Sequence, residues 1–220
     1  MSLVELVDNT RTDKNTVHSY LHLYEKLFSS KKESAQNILE IGICNYTELN
    51  GGSIQLWEKY FKNATVYGVD NMNISDVWEG IQHKDKIILY TSIDAYDETF
   101  CKTRFEDKNI KFDVIIDDGT HKLENMKQFI KLYSPLLTDN GILIVEDVQS
   151  WDWIETLKKE VPEELKDYIF TYDLRENKNR YDDIVFVINK LNTYHHYYYR
   201  YVYNPISTVK SIETEVNNTI

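Results

Sequence analysis

The chain has 220 residues, of which 42% are hydrophobic and 13% are aromatic, so it can bury one large apolar core. Its net charge of -11 at pH 7 disfavours partners held by bulk electrostatics, such as nucleic acid or an anionic membrane, and its two cysteines exclude a disulfide framework and a cysteine-based zinc cluster. The sequence has no apolar run of the roughly 20 residues that span a bilayer and no signal-peptide pattern, so we expect a cytoplasmic protein, in a cell or in the host of a virus.

The pattern along the chain predicts a single domain with three parts. A helical lead precedes an alternation of apolar runs and helical patterns, and a segment rich in tyrosine follows it. No repeat and no Pro/Gly-rich linker separates these parts. We therefore predict one domain over residues 1–220, with the lead at 1–36, the core at 37–190 and the tail at 191–220.

The lead carries an amphipathic helical pattern over residues 12–28. Thr12 or Asp13 is a suitable N-cap for this helix. Polar side chains, among them Lys14 and His18, share it with a stripe of core-type residues. The pattern predicts either a helix that packs on the domain or a lid over a binding crevice.

Apolar runs alternate with helical patterns through the core. The runs are continuously apolar, which is typical of strands buried on both faces of a parallel sheet. Only a short polar loop separates the last two, so they should form an antiparallel hairpin. The pattern predicts an α/β fold, with a doubly wound, mostly parallel seven-stranded sheet and an antiparallel C-terminal strand. The predicted strands are residues 37–43, 65–70, 87–92, 112–118, 141–147, 168–173 and 184–189, and the predicted helices are 52–61 and 122–137.

Polar residues and glycines follow the first two predicted strands, at the edge of the sheet where open α/β folds bind ligands. Glu40 and Gly42 end the first strand, and Gly51 and Ser53 open the next helix, whose N-terminus supplies free N–H groups. The glycine spacing is not that of a dinucleotide fingerprint, and the acidic Glu40 suits a cationic cofactor better than an anionic one. Asp70 ends the second strand, where a carboxylate can accept both ribose hydroxyls of an adenosine group.

Ser92 and Asp94 follow the third predicted strand. In an open α/β sheet this position can face the adenine edge of a bound adenosine cofactor. A solvated strand end accounts for the two residues equally well.

Two acidic clusters end the next pair of buried strands. Asp117 and Asp118 precede His121 in one, and Glu146 and Asp147 form the other. Neighbouring parallel strands should bring Asp118, Glu146 and Asp147 together, and three uncompensated carboxylates would repel one another strongly. A hard cation would remove that cost, and oxygen ligands favour Mg²⁺ or Mn²⁺. The alternative is that helix N-termini and lysines of the protein satisfy the acids. His121 has a side chain suited to a general base.

Five segments together resemble the metal-dependent sugar O-methyltransferases of the mycinamicin and macrocin type, which belong to the class I S-adenosylmethionine-dependent methyltransferases. The likeness covers roughly residues 11–150 and is specific only in combination. The segments are TDKNTVHSYLHLYEKLF, LEIGI with NGGSIQLWEKYF, VYGVD, FDVIIDDGTH and GILIVEDV.

The resemblance implies methylation of a sugar hydroxyl with S-adenosylmethionine and Mg²⁺ (or Mn²⁺). It also implies a homodimer or a higher homo-oligomer. The loop between Gly42 and Gly51 is longer than in short family members, so the family's contacts are not carried over to residues 44–50. The chain is short, with no extra N-terminal domain expected, so a small glycan or a nucleotide sugar is the expected acceptor rather than a macrolide. The implied residues are His121 as base, Asp118, Glu146 and Asp147 as metal ligands, and Glu40, Gly42, Ser53, Asp70, Ser92, Asp94 and Asp117 as cofactor contacts.

Three other functions remain to be weighed. Catechol and phenol O-methyltransferases also hold Mg²⁺ with acids at these strand ends, but the lead motif favours the sugar family. A non-catalytic cofactor-binding protein should lack a ligand or the base, and neither is missing. An NAD-dependent oxidoreductase disagrees with the glycine spacing and with the terminal hairpin.

The tail contains YHHYYYRYVY at 194–203, in which His195 and His196 are adjacent. Adjacent residues do not share one helix face, which is poor geometry for two ligands of one metal. Packing, an oligomer contact and an aromatic surface that faces a sugar all remain as interpretations of this segment.

Overall fold

The structure is a computed structural model that describes residues 1–43 and 50–191. The interpretations of the tyrosine-rich tail and of the loop from Cys44 onward fall outside the described residues.

In the described part of the chain, seven strands form one sheet, which confirms the predicted fold class. The sheet order is β3-β2-β1-β4-β5-β7-β6, in which β1 to β5 are parallel and β7 runs antiparallel to both of its neighbours. The final hairpin is therefore present as predicted. The strands are β1 (Asn37–Ile41), β2 (Thr65–Val69), β3 (Ile87–Tyr90), β4 (Phe112–Asp117), β5 (Leu137–Val145), β6 (Ile169–Asp173) and β7 (Ile184–Asn189).

Helices cover both faces of this sheet. The predicted helix at 52–61 is present, whereas the one at 122–137 ends early, at Tyr133. A 3₁₀ turn over Ser134–Leu136 follows, because Pro135 has no N–H with which to continue the helix. The helices are α1 (Leu3–Leu6), α2 (Tyr20–Phe28), α3 (Gly52–Tyr60), α4 (Glu98–Cys101), α5 (Leu123–Tyr133), α6 (Trp153–Glu160) and α7 (Arg175–Lys178).

The prediction that the lead helix begins near residue 12 is wrong. Helix α2 begins at Tyr20, and the preceding residues form turns. The backbone oxygen of Asp13 accepts three amide hydrogen bonds, from Thr16, Val17 and His18, each at 3.0 Å. These bonds close the chain into a compact turn, and Val17 is exposed.

Alternate residues of each strand supply two separate hydrophobic layers. In β5, Ile142 and Ile144 pack with the N-terminal helices and α3, whereas Leu143 and Val145 pack with α5 and α6. The lead belongs to the first layer through the buried faces of α1 and α2. Because a sheet with both faces covered exposes only its edges and ends, the carboxyl end of the parallel strands is left as the place for polar side chains.

Within the described parts of the chain, no helix has the length and apolar character that crossing a bilayer requires.

Candidate active site

Backbone hydrogen bonds tie the carboxyl ends of four neighbouring strands together. The Gly42 amide donates to the Val69 oxygen at 2.9 Å, and the Asp118 amide donates to the Ile41 oxygen at 2.9 Å. The Glu146 amide donates to the oxygen of Asp117 at 3.0 Å. The predicted cofactor and metal residues on β1, β2, β4 and β5 are therefore brought to one edge, as the topology required.

Gly42 is needed for this junction. Its φ is +92°, and a Cβ atom built there would lie 1.9 Å from the backbone oxygen of Asp118. Only glycine combines this conformation with such a close approach of two backbones.

At Gly52, which opens helix α3, the atoms that approach the glycine closely belong to the protein and not to a ligand. A Cβ atom on Gly52 would lie 2.5 Å from the carbonyl carbon of Arg11, whose guanidinium stacks 4.5 Å from the ring centroid of Trp78. Residues 11–24, which we call the strap, therefore begin by crossing the N-terminus of α3. Arg11 therefore fills the space beside Gly52.

Lys14 of the strap enters the acid cluster. Its ammonium lies 2.6 Å from Asp118 Oδ2, 2.5 Å from Glu146 Oε2 and 3.3 Å from Glu40 Oε1, and the side chain is 1% exposed. Burial opposes the charged form, but the three carboxylates outweigh it and raise the pKa of Lys14 well above its usual value. Lys14 therefore supplies these acids with a counter-ion from the protein itself, as the alternative with lysines allowed.

Glu40 lies beneath the cluster and is enclosed by protein groups. Its Oε2 accepts a hydrogen bond from Trp57 Nε1 at 2.9 Å, and the Ser53 hydroxyl also bonds to the carboxylate. Burial raises the pKa of Glu40 to about 7, against the opposing charge of Lys14. A cofactor contact by Glu40 or Ser53 stays a prediction, since each already has a protein partner.

Three further strap residues bond to the last pair of acids. The hydroxyl of Tyr24 donates to Glu146 Oε1, and that of Tyr20 donates to Asp147 Oδ1. The imidazole of His18 lies 3.4 Å from the same Asp147 oxygen through Nδ1. Every oxygen of Glu146 and one oxygen of Asp147 is thus held by the strap.

His18 also connects the strap to the start of β7. Its Nδ1 lies 2.6 Å from Asp183 Oδ1. Burial favours the neutral ring, but the hydrogen bond to Asp183 and the charge of Asp147 raise the pKa of His18. Asp147, Asp182 and Asp183 with His18 form a set of possible metal ligands, although all four are buried.

A second set of possible ligands faces solvent. Asp118, His121 and Asp147 offer ligand atoms that lie within 4.8 Å of one another, and the side chains of Asp118 and His121 are 24% and 31% exposed. His121 Nε2 lies 3.2 Å from Asp118 Oδ1 and 3.4 Å from Asp147 Oδ2. Of the two sets among the described residues, this open set is the one that an ion from solution can reach more easily.

Charges set the protonation of this open set. Burial opposes ionisation of Asp118, yet Lys14 and the hydrogen bond with His121 lower its pKa. Burial also favours a neutral His121, but the hydrogen bond and charge of Asp118, followed by the charge of Asp147, raise the pKa of His121 to about 9. Burial and the charge of Asp118 raise the pKa of Asp147, and burial does the same for Glu146.

The remaining predicted cofactor residues lie nearby with partners of their own. Asp70 is buried and accepts amide hydrogen bonds from Ile43 at 2.7 Å and from Met72 at 2.9 Å. Ser92 and Asp94 are exposed; the hydroxyl of the first bonds to Asn73, and the carboxylate of the second accepts from the amide of Tyr96. Their contacts with a cofactor stay predictions.

Asp117 points away from the cluster toward Tyr96. The Tyr96 hydroxyl donates to Asp117 Oδ1 at 2.8 Å, and burial raises the pKa of this carboxyl to about 6. Its predicted cofactor contact is likewise open.

Sequence reasoning missed the partners of the acids. Lys14 was noticed only as a polar member of the lead, and neither Asp183 nor Tyr96 was singled out. No local signal in the strap points to these contacts, because Lys14 and His18 lie in turns before α2 and their partners Asp118 and Asp183 are 104 and 165 residues away along the chain.

No protein-family model matches the chain, but curated relatives do. It is 29% identical over 144 residues to 8-demethyl-8-alpha-L-rhamnosyl tetracenomycin-C 2'-O-methyltransferase of Streptomyces olivaceus (64% of this chain, 36% of that protein). It is 27% identical over 154 residues to demethylmacrocin O-methyltransferase of Streptomyces fradiae (69% and 37%) and 25% identical over 139 residues to mycinamicin VI 2''-O-methyltransferase of Micromonospora griseorubida (62% and 33%). The chain spans about a third of the length of these relatives.

Solved structures agree on the fold. MycE methyltransferase from the mycinamycin biosynthetic pathway, in complex with Mg, SAH and mycinamycin VI, superposes with a TM-score of 0.65 at 22% identity, covering 86% of this chain and 54% of that one. A putative SAM-dependent methyltransferase from Streptococcus mutans superposes with a TM-score of 0.53 at 14% identity, covering 77% and 48%. The resemblance predicted from the sequence is confirmed: the chain has the fold of class I methyltransferases and is similar in sequence to sugar O-methyltransferases.

Proposed function

We propose that the chain is an S-adenosylmethionine- and Mg²⁺-dependent O-methyltransferase that methylates a hydroxyl of a sugar. The observation that carries the proposal is the open set formed by Asp118, His121 and Asp147, at the same edge of the sheet as Asp70. Sequence similarity to enzymes named for methylating rhamnosyl and olivosyl groups supports the sugar as acceptor. The acceptor is a free sugar, a nucleotide sugar or a small glycoside.

The cofactor half of the crevice lies over the ends of β1 and β2. Asp70 is fixed there by the amides of Ile43 and Met72, so its carboxylate does not need to reorganise when ribose hydroxyls approach. Gly42 lets the ends of β1 and β4 come into direct contact, which holds Asp118 close to this half of the crevice. These features suit the adenosine part of S-adenosylmethionine, which supplies the methyl group.

The open set fits a small divalent cation. Asp118 Oδ1 and Asp147 Oδ2 both lie near His121 Nε2, and carboxylate oxygens are the ligands preferred by Mg²⁺ and Mn²⁺. Glu146, the third acid of the predicted ligand set, already receives hydrogen bonds from Lys14 and Tyr24, so it would bind as an additional ligand through a remaining lone pair. When bound, the cation would lower the pKa of a neighbouring sugar hydroxyl and orient it for attack.

His121 is the proposed general base. It must be neutral to accept the hydroxyl proton as the oxygen attacks the methyl carbon and S-adenosylhomocysteine leaves. Without a cation its pKa is raised to about 9 by the acids beside it, so the ring is protonated at pH 7. Positive charge bound to Asp118 and Asp147 compensates those acids and lowers the pKa of His121, which makes the base available only in the loaded site.

The cofactor assignment is tested at Asp70. Asp70→Asn keeps the shape of the side chain and removes its charge, so the Kd for S-adenosylhomocysteine should rise by about 10- to 150-fold, the equivalent of ~1.5–3 kcal/mol for a charge-assisted hydrogen bond. Isothermal calorimetry measures this, with Asp85→Asn at the exposed amino end of β3 as the matched control. Tighter binding of NAD than of S-adenosylhomocysteine by the wild type would refute the assignment.

The metal assignment is tested by methyl transfer to a panel of nucleotide sugars and rhamnosides, followed by NMR to locate the new methyl group. EDTA should abolish transfer, Mg²⁺ should restore it, and Asp118→Asn should remain inactive at any Mg²⁺ concentration because a carboxylate ligand is lost. Asp113→Asn, at the other end of the same strand, should stay active. Full activity in EDTA, or transfer to catechols and to none of the sugars, would contradict the proposal.

The base is tested through the pH dependence of kcat. Only neutral His121 accepts a proton, so kcat of the loaded wild type should rise with pH, with an apparent pKa below the value of about 9 that holds without a cation. His121→Gln should bind Mn²⁺ and S-adenosylhomocysteine, lose the rise and turn over at least about 10²-fold more slowly. Wild-type kcat in this variant would assign the base to another group.

A further inference from the structure

Lys14 is an unusual occupant of a metal-binding acid cluster. Its ammonium contacts one carboxylate from each of three strands: Glu40 of β1, Asp118 after β4 and Glu146 after β5. A lysine with 1% exposure is costly to bury unless its charge is paired, and here it is paired three times. These three contacts therefore form a binding site for a positive charge, and the Lys14 ammonium occupies it.

The ammonium divides the acids into two groups of oxygens. It faces Asp118 Oδ2 and Glu146 Oε2, whereas Asp118 Oδ1 is left beside His121 on the solvent side. Asp147 likewise gives one oxygen to Tyr20 and the other to the His121 side. The strap thus fixes the rear of the cluster and leaves the front for an ion.

We propose that Lys14 is a positioning residue and a built-in counter-ion that orients the acids for the divalent cation and at the same time weakens the binding of that cation. The inference rests on the proposed function, because it assumes a cation at the open set. Two positive charges that share Asp118 repel each other, and the buried Lys14 ammonium has little water around it to screen that repulsion. The acids are therefore ordered before a metal binds, and a bound metal can exchange with solution.

The proposal makes opposite predictions for metal affinity and for turnover. Removing the ammonium leaves one more uncompensated negative charge, so the metal should bind more tightly. The acids lose their common partner and repel, so their alignment, and with it kcat, should suffer. A lysine with a purely structural role would lower stability without tightening metal binding.

The test is Mn²⁺ affinity of the full-length metal-free protein, measured by electron paramagnetic resonance and calorimetry. Lys14→Met and Lys14→Gln should bind Mn²⁺ at least about tenfold more tightly than the wild type, and their melting temperature should respond more to Mn²⁺. Lys14→Arg keeps the charge and should bind Mn²⁺ as the wild type does. In both neutral variants kcat should fall.

Lys31→Met is the matched control. Lys31 is also a buried lysine, paired with Asp113 at 3.5 Å and with Asn140 at 2.9 Å, but it lies at the amino end of the strands. Its replacement should lower stability and leave the Mn²⁺ affinity unchanged. A similar tightening in this variant would refute a local electrostatic effect.

If neither neutral Lys14 variant folds, Glu40→Gln tests the counter-ion role of Lys14. Glu40 is fully buried and contacts Lys14, so at pH 8 its neutralisation leaves the ammonium less compensated and should weaken Mn²⁺ binding severalfold. An unchanged Mn²⁺ affinity in Glu40→Gln would overturn the inference. An unchanged or weaker Mn²⁺ affinity in folded Lys14→Met and Lys14→Gln would also overturn it.

Mn²⁺ binding by the wild type distinguishes a failure of this inference from a failure of the proposed function. Mn²⁺ binding that appears only in the neutral variants would support the counter-ion role and overturn the metal dependence of the proposed function. Absence of binding in the wild type and in both neutral variants would overturn both.

Discussion

The Lys14 ammonium lies among Glu40, Asp118 and Glu146, and the rest of the site depends on this ion cluster. Each carboxylate is deeply or partly buried at a strand end, where an unpaired charge would destabilise the fold. The shared ammonium makes their proximity tolerable and fixes which oxygens face inward. What remains on the outer side, around His121, is a small set of oxygens and one imidazole suited to a divalent cation.

The sheet determines where the acids lie, and the strap contains the groups that pair with them. Parallel strands β1, β4 and β5 end together, so acids at three separate places in the sequence meet at one edge. The strap then crosses the start of α3 at Gly52 and reaches the acids with an ammonium, an imidazole and two hydroxyls. Such packed partners of ligating groups set geometry and affinity in metal sites generally. The strap contacts buried acids through Lys14, His18, Tyr20 and Tyr24, and its role as a lid for an acceptor stays a prediction.

Much of the fold could be predicted because strands buried on both faces are continuously apolar and end abruptly at charged residues. Asp118, Glu146 and Asp147 were found in this way, and the short loop before β7 predicted the reversed strand. The partners of these acids could not be found, because Lys14 lies 104 residues from Asp118 and no local pattern encodes such a contact. The start of α2 was missed because three amides bond to the oxygen of Asp13, which a helical periodicity does not reveal.

We propose that a protein ammonium and a divalent cation share one acid cluster from opposite sides. Anomalous diffraction from crystals grown with Mn²⁺ and S-adenosylhomocysteine would locate both charges. We expect a manganese peak bonded to Asp118 and Asp147 on the His121 side, with the Lys14 ammonium still in contact with Glu146. A manganese peak at the position of that ammonium, with Lys14 displaced from the acids, would contradict it.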